Sequence, residues 1–220
     1  MEFIQNIGFA VCHQLPERSI FMDGKQLPVC ARDTGIYIGS IIALFFILLS
    51  HRRKSNSIPV SYISFTFVFF MIILAVDGLT SYLGLRSTTN EIRLLSGLLV
   101  GISLPFFMYP LLIDNLFEPK KEASVLSIWY ELALLLLLVG SLYAIIIHYN
   151  TGLFYPVSFL TTAGILTLHF LMFATFFSFI VSYMHINNFV KKSLLIFPIC
   201  VIMVTVEFSV LVRLHHLLNA

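Results

Sequence analysis

The stretches Phe65–Val76, FTFVFFMIILAV, and Leu132–Val139, LALLLLLV, decide the fold class. Neither alternates polar with apolar residues, whereas a membrane β-strand repeats with period two over about 10 residues. In lipid every backbone amide needs an internal partner, so the structure that remains is the α-helix. Crossing the hydrocarbon core takes about 20 apolar residues at about 1.5 Å of rise each. Working outward from the two stretches, apolar runs of this kind recur along the chain. They predict six spans: Thr34–Ser50, Pro59–Tyr82, Ile92–Leu116, Val125–His148, Pro156–His185 and Ser193–Leu217. The expected fold is an all-α polytopic transmembrane bundle.

Composition agrees. Of 220 residues, 59% are hydrophobic and 11% charged, with a mean hydropathy of +0.95. A soluble domain needs about 25% charged residues to solvate its surface. The polar breaks between spans are too short for a soluble domain. The chain therefore reads as one membrane domain in three parts: a surface segment over 1–33, a motif-bearing three-span half over 34–116, and a second half over 117–220. The first part is polar and turn-rich and opens with a short interfacial helix. Glu2 and the interruption of Phe3–Val11 by Gln5 and Asn6 argue against a signal peptide. A net charge of +2 does not point to nucleic acid as a partner, which would need a clustered basic face.

The basic residues also predict topology. Arg52, Arg53 and Lys54 fall in the first break, Lys120 and Lys121 in the third, and Lys191 and Lys192 in the fifth. Positive charge in alternate breaks marks the cytoplasmic loops. The expectation is a multi-pass protein of the cell membrane with both termini extracytoplasmic.

The surface segment holds the densest set of reactive side chains. Cys12-His13-Gln14-Leu15-Pro16-Glu17-Arg18-Ser19 is followed by Cys30, Arg32 and Asp33, which lead into the first span. Sulfur, imidazole and carboxylate are ligands for zinc or iron. Two other readings stand beside the metal. A Cys12–Cys30 disulfide suits an oxidising face, and Asp33 before Thr34-Gly35 is placed to N-cap the first span.

The run Cys-His-Gln-x-Pro-x-Arg-Ser, then Gly-x-Gln-x-Pro-x-Cys-Ala-Arg-x-Thr-Gly-Ile-Tyr-x-Gly, resembles a prokaryotic family of small membrane proteins of unknown function. The resemblance extends over about residues 10–101, through Asp77-Gly78 and Gly84-Leu85-Arg86-Ser87-Thr88 to Asn90 and Arg93. It implies a Cys/His metal site at Cys12, His13 and Cys30. Asp33 stands where the family pattern has a further cysteine, so here a carboxylate replaces a thiolate or the metal is lost.

A second constellation joins the end of span two to the start of span three. Arg86, Ser87, Thr88, Asn90 and Arg93 are the candidates for holding a phosphate or carboxylate. Asp77 is expected to pair with Arg93, because intramembrane charges usually find each other. Gly97-x-x-x-Gly101 lets another helix approach that face closely. A third group, His169 and Glu207, lies mid-span at similar depth and forms a candidate intramembrane pair. Cys200, in apolar surroundings, reads as a packing residue.

Two classes of function follow. One is a membrane-embedded enzyme acting on an anionic amphiphile, a lipid or prenyl phosphate, at the extracytoplasmic face. In it Cys12, His13, Cys30 and Asp33 hold zinc or iron, the arginines hold the anionic head, and Asp77 and His13 are the catalytic candidates. The other is an anion transporter in which His169 and Glu207 relay protons, although no inverted repeat or matched pair of broken helices is visible. A non-catalytic accessory subunit is a third reading. Oligomeric state is left open by the sequence.

Overall fold

The computed structural model describes residues 2–50, 54–117, 124–149, 151–184 and 189–218. Arg52, Arg53, Lys120, Lys121, Asn150 and His185 lie outside them. A surface helix, α1 (Glu2–Val11), leads through a 3₁₀ turn (Pro16–Arg18) into a hairpin of β1 (Ser19–Met22) and β2 (Lys25–Cys30). Six long helices follow: α2 (Ala31–Leu49), α3 (Ser61–Tyr82), α4 (Asn90–Phe117), α5 (Trp129–His148), α6 (Phe154–Tyr183) and α7 (Phe189–Leu218). All six are long and apolar enough to cross a membrane. The helical bundle expected from the apolar runs is the one observed.

The hairpin is the element that hydropathy misses. Its turn, Asp23-Gly24, takes positive φ at both residues (51° and 70°), the primed turn geometry that joins two twisted strands. Short strands at the surface carry no long apolar signature, so only the turn chemistry marks them.

α2 and α4 form the tightest helix pair, and the reason is glycine. A methyl group at Gly35 would overlap the Leu94 carbonyl, one at Gly97 the Arg32 carbonyl, and one at Gly101 the Ile36 carbonyl. Two small-residue faces, 35/39 and 97/101, thus mesh backbone to backbone. Pro105 lacks an N–H and leaves the Gly101 carbonyl without its helical donor. The Ser40 hydroxyl of α2, which also lies 2.8 Å from its own helix's Ile36 carbonyl, comes within 3.1 Å of the Gly101 carbonyl. α6 packs on the same pair, where Gly164 meets the Tyr37 backbone. α3, α5 and α7 bury little of their apolar surface, which suits helices facing lipid.

The breaks alternate between two ends of the bundle. At one end the hairpin tip reaches the α5–α6 connection: Asp23 Oδ1 accepts from the Gly152 N–H at 2.8 Å, and Asn90 Nδ2 donates to the Ser19 carbonyl at 3.0 Å. At the other, Val125 N–H donates to the Ser57 carbonyl at 2.9 Å. There too Lys192 Nζ reaches the Asn115 carbonyl at 2.9 Å. The surface segment and the start of α2, end of α3 and start of α4 therefore share one face.

Candidate functional site

The site is built around the first turn of α2. This helix begins at Ala31 with Cys30 as its N-cap, so Asp33 is not the cap that its position before Thr34 predicts. It sits inside the first turn, where a carboxylate complements the helix dipole, and its Oδ2 accepts from the Cys30 thiol at 3.2 Å.

Cys12 is brought to Cys30 by the chain's path through the surface segment. α1 lies against β2 so closely that a methyl at Gly8 would overlap the Pro28 carbonyl. Gln14 then turns the chain with φ 52°, and its amide donates to the Pro28 carbonyl at 2.7 Å. The result is Cys12 Sγ accepting from the Cys30 backbone N–H at 3.2 Å. The donor atoms of Cys12, Cys30 and Asp33 all lie within 4.8 Å of one another. Cys12 and Cys30 are both free thiols. Cys12 is held below the usual thiol range, chiefly by its hydrogen-bonding contact with Cys30, while the same contact and burial push Cys30 up. His13, adjacent in sequence, is exposed and is not one of the three converging groups.

The second constellation assembles differently from its expected pairing. Asp77 is buried, with 4% of its surface exposed, and its partners are Arg32 at 2.5 Å and Arg86 at 2.8 Å. Thr88 Oγ1 adds a donor at 2.8 Å. Arg93 is not a partner: its Nη1 donates to Asn90 Oδ1 at 3.0 Å. The reason is the α2–α4 mesh, which inserts the first turn of α2, and Arg32 with it, beside Asp77. Ser87 is exposed and takes no part in this network.

Arg32 is the residue that reading the sequence passed over. It links the two constellations, since it lies between Cys30 and Asp33 on one side and holds Asp77 on the other. The signal was present in the matching Gly35/Gly39 and Gly97/Gly101 faces, which place the Arg32 backbone against Gly97 of α4.

His169 and Glu207 meet across α6 and α7, with Nε2 and Oε1 3.9 Å apart. His169 Nδ1 lies 2.7 Å from the Ile165 carbonyl, and Glu207 Oε2 is buried without a hydrogen-bond partner. Cys200 is fully buried among apolar side chains, in keeping with a packing role.

Fold and site together define a polytopic helical membrane protein with a thiol–carboxylate cluster and an arginine network at one membrane face. The chain belongs to the family described as Predicted membrane protein (DUF2085), whose model matches residues 12–107. That stretch begins at Cys12 and includes both constellations but not His169 or Glu207. An uncharacterized protein of Methanocaldococcus jannaschii is 32% identical over 111 residues, covering 50% of this chain and 69% of the relative. An uncharacterized protein of Methanothermobacter thermautotrophicus is 34% identical over 97 residues, covering 43% and 80%. No solved structure matches the chain.

Proposed function

We propose that this is a metal-dependent membrane enzyme acting on an anionic amphiphile, a lipid or prenyl phosphate, at the extracytoplasmic face. The observation that carries the reading is the convergence of Cys12, Cys30 and Asp33 one residue from the Arg32–Asp77–Arg86 network. Catalytic metal sites use three protein ligands and keep a further position open. Ligands of one tetrahedral zinc ion lie about 3.3–3.8 Å apart. Three donors already within 4.8 Å of one another fit such an ion with closure of about an ångström.

Two thiolates and a carboxylate favour zinc or iron over a hard cation. Such an ion would supply Lewis acidity toward a phosphoryl oxygen or activate water. The chain's own residues do the rest. Arg32 and Arg86 hold Asp77 as a fixed carboxylate beside the cluster, and the hairpin covers that end of the bundle. His13, exposed next to Cys12, remains a catalytic candidate beside the cluster. The basic clusters that the sequence carries in alternate breaks support this orientation.

Metal analysis of the purified protein, with thiols counted under non-reducing conditions, tests the reading. One equivalent of zinc or iron per chain is expected, falling at least tenfold in Cys12→Ser and Cys30→Ser. Hydrolysis of a lipid phosphate should fall with it. A metal-free protein with a Cys12–Cys30 bridge would end this reading.

A further inference from the structure

Among the described residues, no carboxylate bonds the Arg93 guanidinium. The residue is 9% exposed, and among the described residues its guanidinium donates to the neutral Asn90 amide at 3.0 Å. A buried guanidinium without a counter-ion is costly, and folded proteins pair such groups with a charge or a ligand. Arg18 precedes Ser19, whose carbonyl accepts from Asn90 Nδ2 at 3.0 Å, and the Arg32 carbonyl lies against Gly97, one turn along α4 from Arg93. Arg18 makes no side-chain ion pair among the described residues. Arg32 gives one arm to Asp77 and keeps a buried Nε without a partner. Among the described residues, Asp77 is the carboxylate bonded to the arginines 18, 32, 86 and 93, and it is occupied by Arg32 and Arg86. Glu17 and Glu91, the nearby acids in sequence, are exposed.

We infer that Arg93, Arg18 and the free edge of Arg32 form a binding site for a phosphate oxyanion, apart from the Arg86–Asp77 pair. Guanidinium suits this ligand because its planar donors match phosphate oxygens and its charge persists when desolvated. Depth argues for the same chemistry. Arg93 lies in the first turn of α4, where the helix's unpaired N–H groups add positive potential, and low-dielectric walls on the α2 and α4 sides strengthen the attraction. This names the group recognised by the proposed enzyme and rests on that reading for its link to catalysis.

The test uses the full chain in maltoside micelles, which contain no phosphate, with inorganic phosphate and short-chain phosphatidic acid as probes. Chloride at matched ionic strength is the blank. Ligand binding to the folded state raises Tm in a saturable way. A saturable rise is expected for the parent and for Lys54→Gln at the opposite end. In Arg93→Met it should vanish while the ligand-free Tm stays level or rises, because an unbalanced buried charge has been removed. Arg93→Lys should bind at least tenfold more weakly, and it serves if the methionine variant does not fold. A response to inorganic phosphate identifies the bare oxyanion as sufficient; a response to phosphatidic acid alone identifies a lipid headgroup. The rise should persist in the Cys12→Ser, Cys30→Ser double variant, which separates this site from the metal. No saturable rise with either probe, or an equal rise in Arg93→Met, overturns it.

Discussion

Asp77 is one carboxylate answering two arginines and a threonine. Its oxygens divide between them, Oδ2 taking Arg32 and Oδ1 taking Arg86 and Thr88. Removing one partner of a buried ion pair costs about 3–5 kcal/mol, since the surviving charges lose their match. Asp77→Asn should therefore lower thermal stability sharply and leave Arg32 without a counter-charge. Thr88→Val, which deletes one hydrogen bond, should cost only about 1 kcal/mol. A thermal denaturation series on the two variants checks the ranking; equal, small losses would show that the pair contributes nothing to the fold. The arrangement was half legible beforehand. Asp77, Arg86 and Thr88 stand out as polar residues at the end of an apolar run, but an arginine 45 positions away cannot be matched to Asp77 without knowing which helices touch.

At the scale of elements, the α2–α4 contact sets the site. Gly97 sits one turn beyond Arg93 and lies against the Arg32 carbonyl, so the same face that allows close approach also aligns the arginines. Gly97→Leu would need the helices to separate, and overpacking a fitted interface costs about 1–3 kcal/mol or more. The expected outcome is a protein that extracts as a helical bundle yet loses both metal and phosphate binding, read by circular dichroism and by the two binding assays. Retention of both would mean that the mesh does not position the site. The hairpin is a second positioning element. Its tip is tied to the α5–α6 connection through Asp23 and through Lys25 Nζ to the Tyr155 hydroxyl at 3.2 Å. That link makes the last three spans part of the platform even though the family match ends at residue 107.

For the molecule as a whole, both membrane-facing ends are built from alternate connections, and the charge at each end predicts its side. Lys54→Cys and Thr151→Cys lie at opposite ends and are both exposed. With Cys12, Cys30 and Cys200 replaced by serine, a membrane-impermeant maleimide on intact cells should label Thr151→Cys at once and Lys54→Cys only after permeabilisation. The reverse pattern would put the thiol cluster on the cytoplasmic side and remove the extracytoplasmic part of the proposed function. Hydropathy alone determined the class and the number of spans, because transfer into lipid is close to a sum over the residues of one segment. The Gly97-x-x-x-Gly101 spacing marked a face where another helix could approach. Only the tertiary structure decided that Arg32 rather than Arg93 answers Asp77, that Cys12 and Cys30 meet while His13 faces out, and that Asp33 lies within the helix. Those choices depend on contacts between segments whose approach is set by backbone packing, and no local property of either segment contains them.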